Sequence, residues 1–139
     1  MYYHPDINFS SEQILVYLRK SRSDDPTLTV EEVLARHEAI LTEWADHHLS
    51  AGIPEENFYR EVVSGETIDD RPEILRLLRH IESPAIKAVL VVEVQRLSRG
   101  DLEDAGRLIK LLRYTNTIVL TPQRIYDLHD EYDRDSFER

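Results

Sequence analysis

Ile14-Leu15-Val16-Tyr17-Leu18 is an unbroken apolar run set among polar residues. A run this short and continuous marks a strand buried on both faces, as in parallel sheets. Ala88 to Val92 is a second such run, and Phe58 to Val63 and Thr117 to Leu120 read as two further strands. Between the first run and Phe58, Val30, Val33, Leu34, His37, Ile40, Leu41, Trp44, Ala45 and His48 recur at helical spacing. They predict a long amphipathic helix ending at about Gly52. Thr29 followed by Glu32 gives its start the form of a capping box. Asp70-Arg71-Pro72 opens a shorter helix carrying Ile74, Leu75, Leu77, Leu78 and Ile81, with proline tolerated in the first turn. Gly100-Asp101 opens another, with Leu102, Ala105, Leu108, Ile109 and Leu112 on one face. Apolar strands alternating with amphipathic helices predict an α/β fold: a mostly parallel central sheet of about four to five strands, with helices on both faces.

The domain predicted in this way spans residues 13–126, after a polar lead-in over 1–12. Residues 127–139 read as an acidic linker in which Asp135 to Arg139 begins a helix that is cut off, so a longer polypeptide is expected. A length of 139 residues, 41% of them apolar and only 4 glycine, suits one domain with a real core. No apolar run reaches membrane-spanning length, and Met1-Tyr2-Tyr3-His4-Pro5-Asp6 lacks the form of a leader. The absence of cysteine excludes disulfides and thiolate metal sites and fits a reducing, cytoplasmic setting.

A net charge of −10 argues against a nucleic-acid partner, whose binding depends on neutralising phosphates. The distribution of charge weakens that objection. Of 17 cations only Lys20, Lys87 and Lys110 are lysines, and arginine is the residue that grips phosphate with two donors. Arg19, Lys20 and Arg22 flank one candidate loop and Arg96 and Arg99 sit in another, whereas Asp127, Asp130, Glu131, Asp133 and Asp135 collect elsewhere. A local basic pocket on an acidic body would act on DNA but hold it poorly, leaving affinity to another part of the protein.

Sites in open α/β sheets gather at the carboxyl ends of strands. Ser21, Ser64 and the Arg96/Arg99 loop all lie just past predicted strand ends. A hydroxyl among guanidinium groups suits attack on a phosphodiester, since arginine stays charged and its forked donors match phosphate oxygens. Singly these residues mean little: a serine after a strand is usually a turn residue, and a lone arginine is usually solvated. The joint arrangement of Arg19, Ser21, Arg71, Arg96 and Arg99 is what suggests a site. Other candidates are weaker. His47 and His48 point apart on a helix, and His37-Glu38 lacks the second histidine of a zinc-hydrolase motif. Asp127, His129, Asp130 and Asp133 fit no calcium loop and read as a solvated acidic segment. Trp44 belongs to the apolar stripe of its helix, and no glycine-rich phosphate loop is present. No metal and no cofactor are expected.

Three segments, in order and spacing, resemble the catalytic domain of serine recombinases, the resolvase/invertase family. They are Tyr17-Leu18-Arg19-Lys20-Ser21, Val63-Ser64-Gly65-Glu66-Thr67 with Asp70-Arg71-Pro72, and Val94-Gln95-Arg96-Leu97-Ser98-Arg99. The resemblance covers about residues 13–126. The extended stretch from Ser64 to Pro72 and the Arg-Leu-Ser-Arg form are most similar to the large serine integrases of phages and conjugative transposons.

The resemblance implies that Ser21 is a nucleophile that leaves a 5′-phosphoserine link to DNA and expels a 3′ hydroxyl. Arg19, Arg71, Arg96 and Arg99 would stabilise charge on the non-bridging oxygens and ease deprotonation of the serine. Ser64 would be a supporting polar contact, and Glu61 stands where the family has an acid that orients arginines. Gln95 replaces an aspartate that many relatives carry; an amide can hold an arginine but cannot accept a proton. His37 stands where many relatives have a glutamine near the site, although an interior helix histidine needs no such role.

The reaction implied is site-specific recombination by transesterification, without metal, cofactor or ATP, during DNA integration, excision or inversion. The implied partners are double-stranded attachment sites, a homodimer that assembles into a synaptic tetramer, and a directionality factor, with no membrane. A long helix after residue 135 and DNA-binding domains beyond it are implied as well. The alternative is a catalytically silent, DNA-associated interaction module that kept the fold, to which Gln95 gives weight. A flavodoxin-like phospho-receiver would need an acidic pair after the first strand and an aspartate after the third. Arg19-Lys20-Ser21 and Gln95-Arg96 occupy those places.

Overall fold

The apolar run Ile14 to Leu18 lies in an interior strand of the sheet, and each of its five side chains is at most 1% exposed. In the computed structural model, which describes residues 10–21, 29–63, 71–94, 97 and 102–138, the run is part of strand β1, Ile14–Ser21. Strands β2 (Phe58–Val63), β3 (Ala88–Leu90) and β4 (Ile118–Leu120) follow, and β5 (Ile125–Tyr126) completes a sheet ordered β2-β1-β3-β4-β5. β1 pairs in parallel with both β2 and β3, β3 pairs in parallel with β4, and β5 returns antiparallel on β4. The expected α/β architecture with a mostly parallel sheet is what forms.

Strand alternation sends successive side chains to opposite faces, and each face has its own core. Leu15, Tyr17, Tyr59, Val89, Val91 and Val119 pack with Ile74, Leu77 and Leu78 of helix α2 (Pro72–His80) and Leu108, Ile109 and Leu112 of helix α3 (Leu102–Tyr114). Ile14, Val16, Leu18, Ala88, Leu90 and Leu120 pack on the other face with Leu41, Trp44 and Ala45 of helix α1 (Val30–His48). Among the described residues, no helix is long and apolar enough to cross a membrane.

The capping box forms as the sequence predicts: Thr29 Oγ1 accepts from the Glu32 N–H at 3.1 Å, and Glu32 Oε1 accepts from the Thr29 N–H at 3.3 Å. The predicted end of α1 at Gly52 is corrected to His48, with Leu49 already extended. The final helical bond runs from the Leu49 N–H to the Ala45 carbonyl at 2.8 Å. His47 Nδ1 pairs with the Glu43 carbonyl and His48 Nδ1 with the Trp44 carbonyl, each at 2.8 Å. α3 ends instead in a Schellman-type turn. The Thr117 N–H bonds the Leu112 carbonyl, the Asn116 N–H bonds the Arg113 carbonyl, and Asn116 takes the left-handed conformation at φ 56°.

Two further boundaries differ from expectation. β3 stops at Leu90 rather than Val92, although the Val91 N–H still bonds the Leu120 carbonyl at 2.9 Å. Helix α4 (Glu131–Glu138) begins four residues before Asp135, because the Asp130 carboxylate accepts from the Asp133 N–H at 3.1 Å and caps its first turn.

Candidate active site

The chain lays β2 beside β1, then crosses to the opposite side of β1 to place β3. Successive crossovers diverge at such a reversal, opening a crevice at the carboxyl ends of β1 and β3, where α/β sheets bind ligands. β1 reaches into this region because it outlasts its apolar run. Arg19, Lys20 and Ser21 continue the ladder opposite Glu61, Val62 and Val63. Ser21, expected in a loop, is therefore the last residue of the strand.

Arg19 and Glu61 are register partners, 1% and 2% exposed, so a guanidinium and a carboxylate lie side by side in the interior. Glu61 is held on both oxygens. Its Oε1 accepts from the Tyr17 hydroxyl at 2.6 Å and from the Ile74 N–H at 3.1 Å, while Oε2 accepts from the Glu73 N–H at 2.7 Å. The two amides open α2, whose N-cap residue, Arg71, supplies no capping side chain of its own. A carboxylate from the neighbouring strand thus caps the helix, satisfying amides that would otherwise be stranded and complementing the positive end of the helix dipole.

Freed from capping, the Arg71 side chain turns inward and is 1% exposed. Its Nη2 donates to the Leu97 carbonyl oxygen at 2.8 Å, reaching the segment that carries Arg96 and Arg99. Tyr17 registers the electrostatics of the region. Burial pushes its hydroxyl far above the ordinary tyrosine value of 10.0; the Arg71 guanidinium opposes this, the hydrogen bond to Glu61 adds to it, and Arg19 opposes it more weakly. The phenol therefore keeps its proton and remains a donor to Glu61. Guanidiniums keep their charge even in such surroundings and, where water is scarce, act strongly on nearby anions.

The described residues thus bring together Arg19, Glu61 and Arg71 of the predicted set, with Ser21 two positions beyond Arg19 on the same strand. Ser64, Gln95, Arg96 and Arg99 lie outside the described residues. His37 is half-buried on α1. Sequence reasoning gave no part to Tyr17 beyond its place in a motif, and none to the Leu97 carbonyl. One signal for the first was available: α2 starts at Arg71-Pro72 without a Ser, Thr, Asp or Asn at the cap, so its amides need an acceptor from elsewhere.

Residues 14–138 match the family model described as Resolvase, N terminal domain. Solved structures share the fold. The N-terminal catalytic domain of TP901-1 integrase aligns with a TM-score of 0.65 and 18% identity, over 89% of this chain and 88% of that one. The C-terminal catalytic domain of ISC1926 TnpA, an IS607-like serine recombinase, aligns with a TM-score of 0.58 and 20% identity, over 78% of this chain and 66% of that one. A serine recombinase from Sulfolobus solfataricus aligns with a TM-score of 0.58 and 20% identity, over 88% of this chain and 74% of that one.

Proposed function

Because this chain belongs to the resolvase N-terminal domain family, we propose that it is the catalytic domain of a site-specific DNA recombinase with Ser21 as nucleophile. The Ser21 oxygen attacks a backbone phosphorus, an O–P bond forms, and the bond from phosphorus to the 3′ oxygen breaks. The serine proton is lost and the departing 3′ oxygen gains one, so a 5′-phosphoserine ester and a free 3′ hydroxyl result. Phosphodiester is exchanged for phosphodiester, and the reverse step rejoins the strands without ATP. Arg19, Arg71, Arg96 and Arg99 stabilise the charge that builds on the non-bridging oxygens, with Ser64 as a supporting contact and Glu61 orienting the cationic groups. A neutral amide at Gln95 does not serve as the proton donor to the 3′ oxygen.

The observation that carries this reading is the burial of Arg19 and Arg71 near the carboxyl end of the strand that Ser21 terminates. Interior guanidiniums are expensive to desolvate, so a fold that keeps two beside a strand end has a use for them there. The substrate is double-stranded DNA at attachment sites. The working unit is a dimer that pairs into a synaptic tetramer, with DNA-binding parts outside these residues and a directionality factor choosing between integration and excision.

The test is covalent capture. The intact protein is incubated with sheared DNA of its source organism, then denatured, and DNA-linked protein is collected. Wild type is expected to yield protein attached to 5′ ends, Ser21→Ala none, and Arg96→Ala much less. An adduct that persists in Ser21→Ala overturns the nucleophile assignment. Absence of any adduct from wild type favours the catalytically silent alternative.

A further inference from the structure

We propose that Tyr17 is a positioning residue of the recombination reaction, holding the Glu61 carboxylate in the one orientation that sets the first turn of α2 and, with it, Arg71. The inference rests on the assignment of Arg71 to the reacting centre made above. Tyr17 is fully buried, and its hydroxyl makes the shortest of the three hydrogen bonds to Glu61, at 2.6 Å against 2.7 and 3.1 Å from the α2 amides. The terminal torsion of a glutamate is soft, so a carboxylate keeps one orientation only where its partners impose it. Without the phenol, Oε1 keeps only the long bond to Ile74 and the carboxylate turns toward Glu73.

The displacement would reach the site directly. Arg71 is the residue at which α2 begins, and its guanidinium spans from there to the Leu97 carbonyl. A shift of the first turn moves both ends of that span, and groups that stabilise a transition state tolerate displacements well below 1 Å poorly. The ring of Tyr17 has a separate part, filling the core with Leu15, Tyr59, Ile74 and Val89. Tyr17→Phe therefore removes the orienting hydroxyl and leaves the packing.

The experiment compares wild type, Tyr17→Phe, Glu61→Gln and the double variant of the intact protein. The probe is the duplex recovered by the covalent capture described above, together with amide hydrogen exchange in the absence of DNA. In Tyr17→Phe, exchange at Glu73 and Ile74 is expected to accelerate. The adduct-forming rate at saturating duplex should fall about tenfold, with the half-saturating duplex concentration unchanged. In the Glu61→Gln background the same substitution should lower the rate by less than about threefold, because the two residues act as one unit.

A Tyr17→Phe protein that reacts at the wild-type rate overturns the proposal. So does an equal rate loss in both backgrounds, or a loss that merely follows the fraction of folded protein. Should Tyr17→Phe not fold, Glu61→Gln alone decides: it must show the same faster exchange and slower adduct formation at unchanged half-saturation, and wild-type behaviour sinks the idea. If wild type captures no DNA, the functional reading fails, while exchange at Glu73 and Ile74 still shows whether Tyr17 orders α2.

Discussion

Arg71, at the head of α2, and Leu97, 26 residues later, are joined by a 2.8 Å hydrogen bond from guanidinium to carbonyl. One side chain thus ties the second motif segment to the third. Arg71→Lys keeps the charge but replaces a rigid fork with a single flexible ammonium. Adduct formation by this variant is expected to fall at least about tenfold, read from the covalent band on a denaturing gel. Arg71→Ala removes the donor from a buried carbonyl and should lower stability by about 3 kcal/mol in urea titration.

Neighbouring residues of β2 should respond to very different degrees. Glu61→Ala strips the acceptor from the Tyr17 hydroxyl and two α2 amides in the interior, and is expected to lower stability by about 2–4 kcal/mol. Arg60, on the other face, bridges Glu38 and Glu55 at the surface and lies over the Phe58 ring. Arg60→Ala should move the urea midpoint far less, since exposed ion pairs contribute little. Comparable midpoints for the two variants would contradict this.

The capping box predicts a local effect with no role in the chemistry. Thr29→Ala leaves the Glu32 N–H without its acceptor and should lower stability by about 1 kcal/mol, which is about 2–5 °C in melting temperature for a domain of this size. Adduct formation measured well below the melting temperature should be unchanged.

Two tyrosines make the fold sensitive to strong base. Burial raises Tyr17, and raises Tyr59 against the lowering effect of Arg76. A phenol whose value is raised on folding stabilises the native state fully below its unfolded value, 10.0, and loses that contribution as pH climbs beyond it. The urea midpoint should therefore hold steady from pH 7 to 9 and fall above pH 10. Tyr17→Phe should fall less steeply over the same range, and a midpoint that rises above pH 10 would contradict the sign.

The strands and helices were largely legible because each rests on local pattern. The run Ile14 to Leu18 is buried on both faces as its continuity demands, and Thr29 with Glu32 starts α1 where the box says. The misreadings have local causes too. Gly52 suggested a glycine stop, but the chain is already extended at Leu49, whose N–H makes the final helical bond to the Ala45 carbonyl. β5 has two residues, too few for any period, and is set by the Thr121 hydroxyl, which accepts from the Arg124 N–H at 3.1 Å at the turn. In the candidate site, residue types and order were readable, since arginine near a strand end is conspicuous. The role of Tyr17 was not, because it depends on a carboxylate 44 residues away that caps a helix of another segment.

The order β2-β1-β3 has a consequence during synthesis. Of these strands β1, with its run of five apolar residues, emerges first, yet its two neighbours are made more than 35 and more than 65 residues later. Until residues 88–90 leave the ribosome, one backbone edge of Ile14–Val16 stays open to pairing with any other nascent chain. Slow stretches of translation before that point lengthen the exposure, so yield on overexpression should depend more on chaperone supply and growth temperature than on the stability of the finished domain.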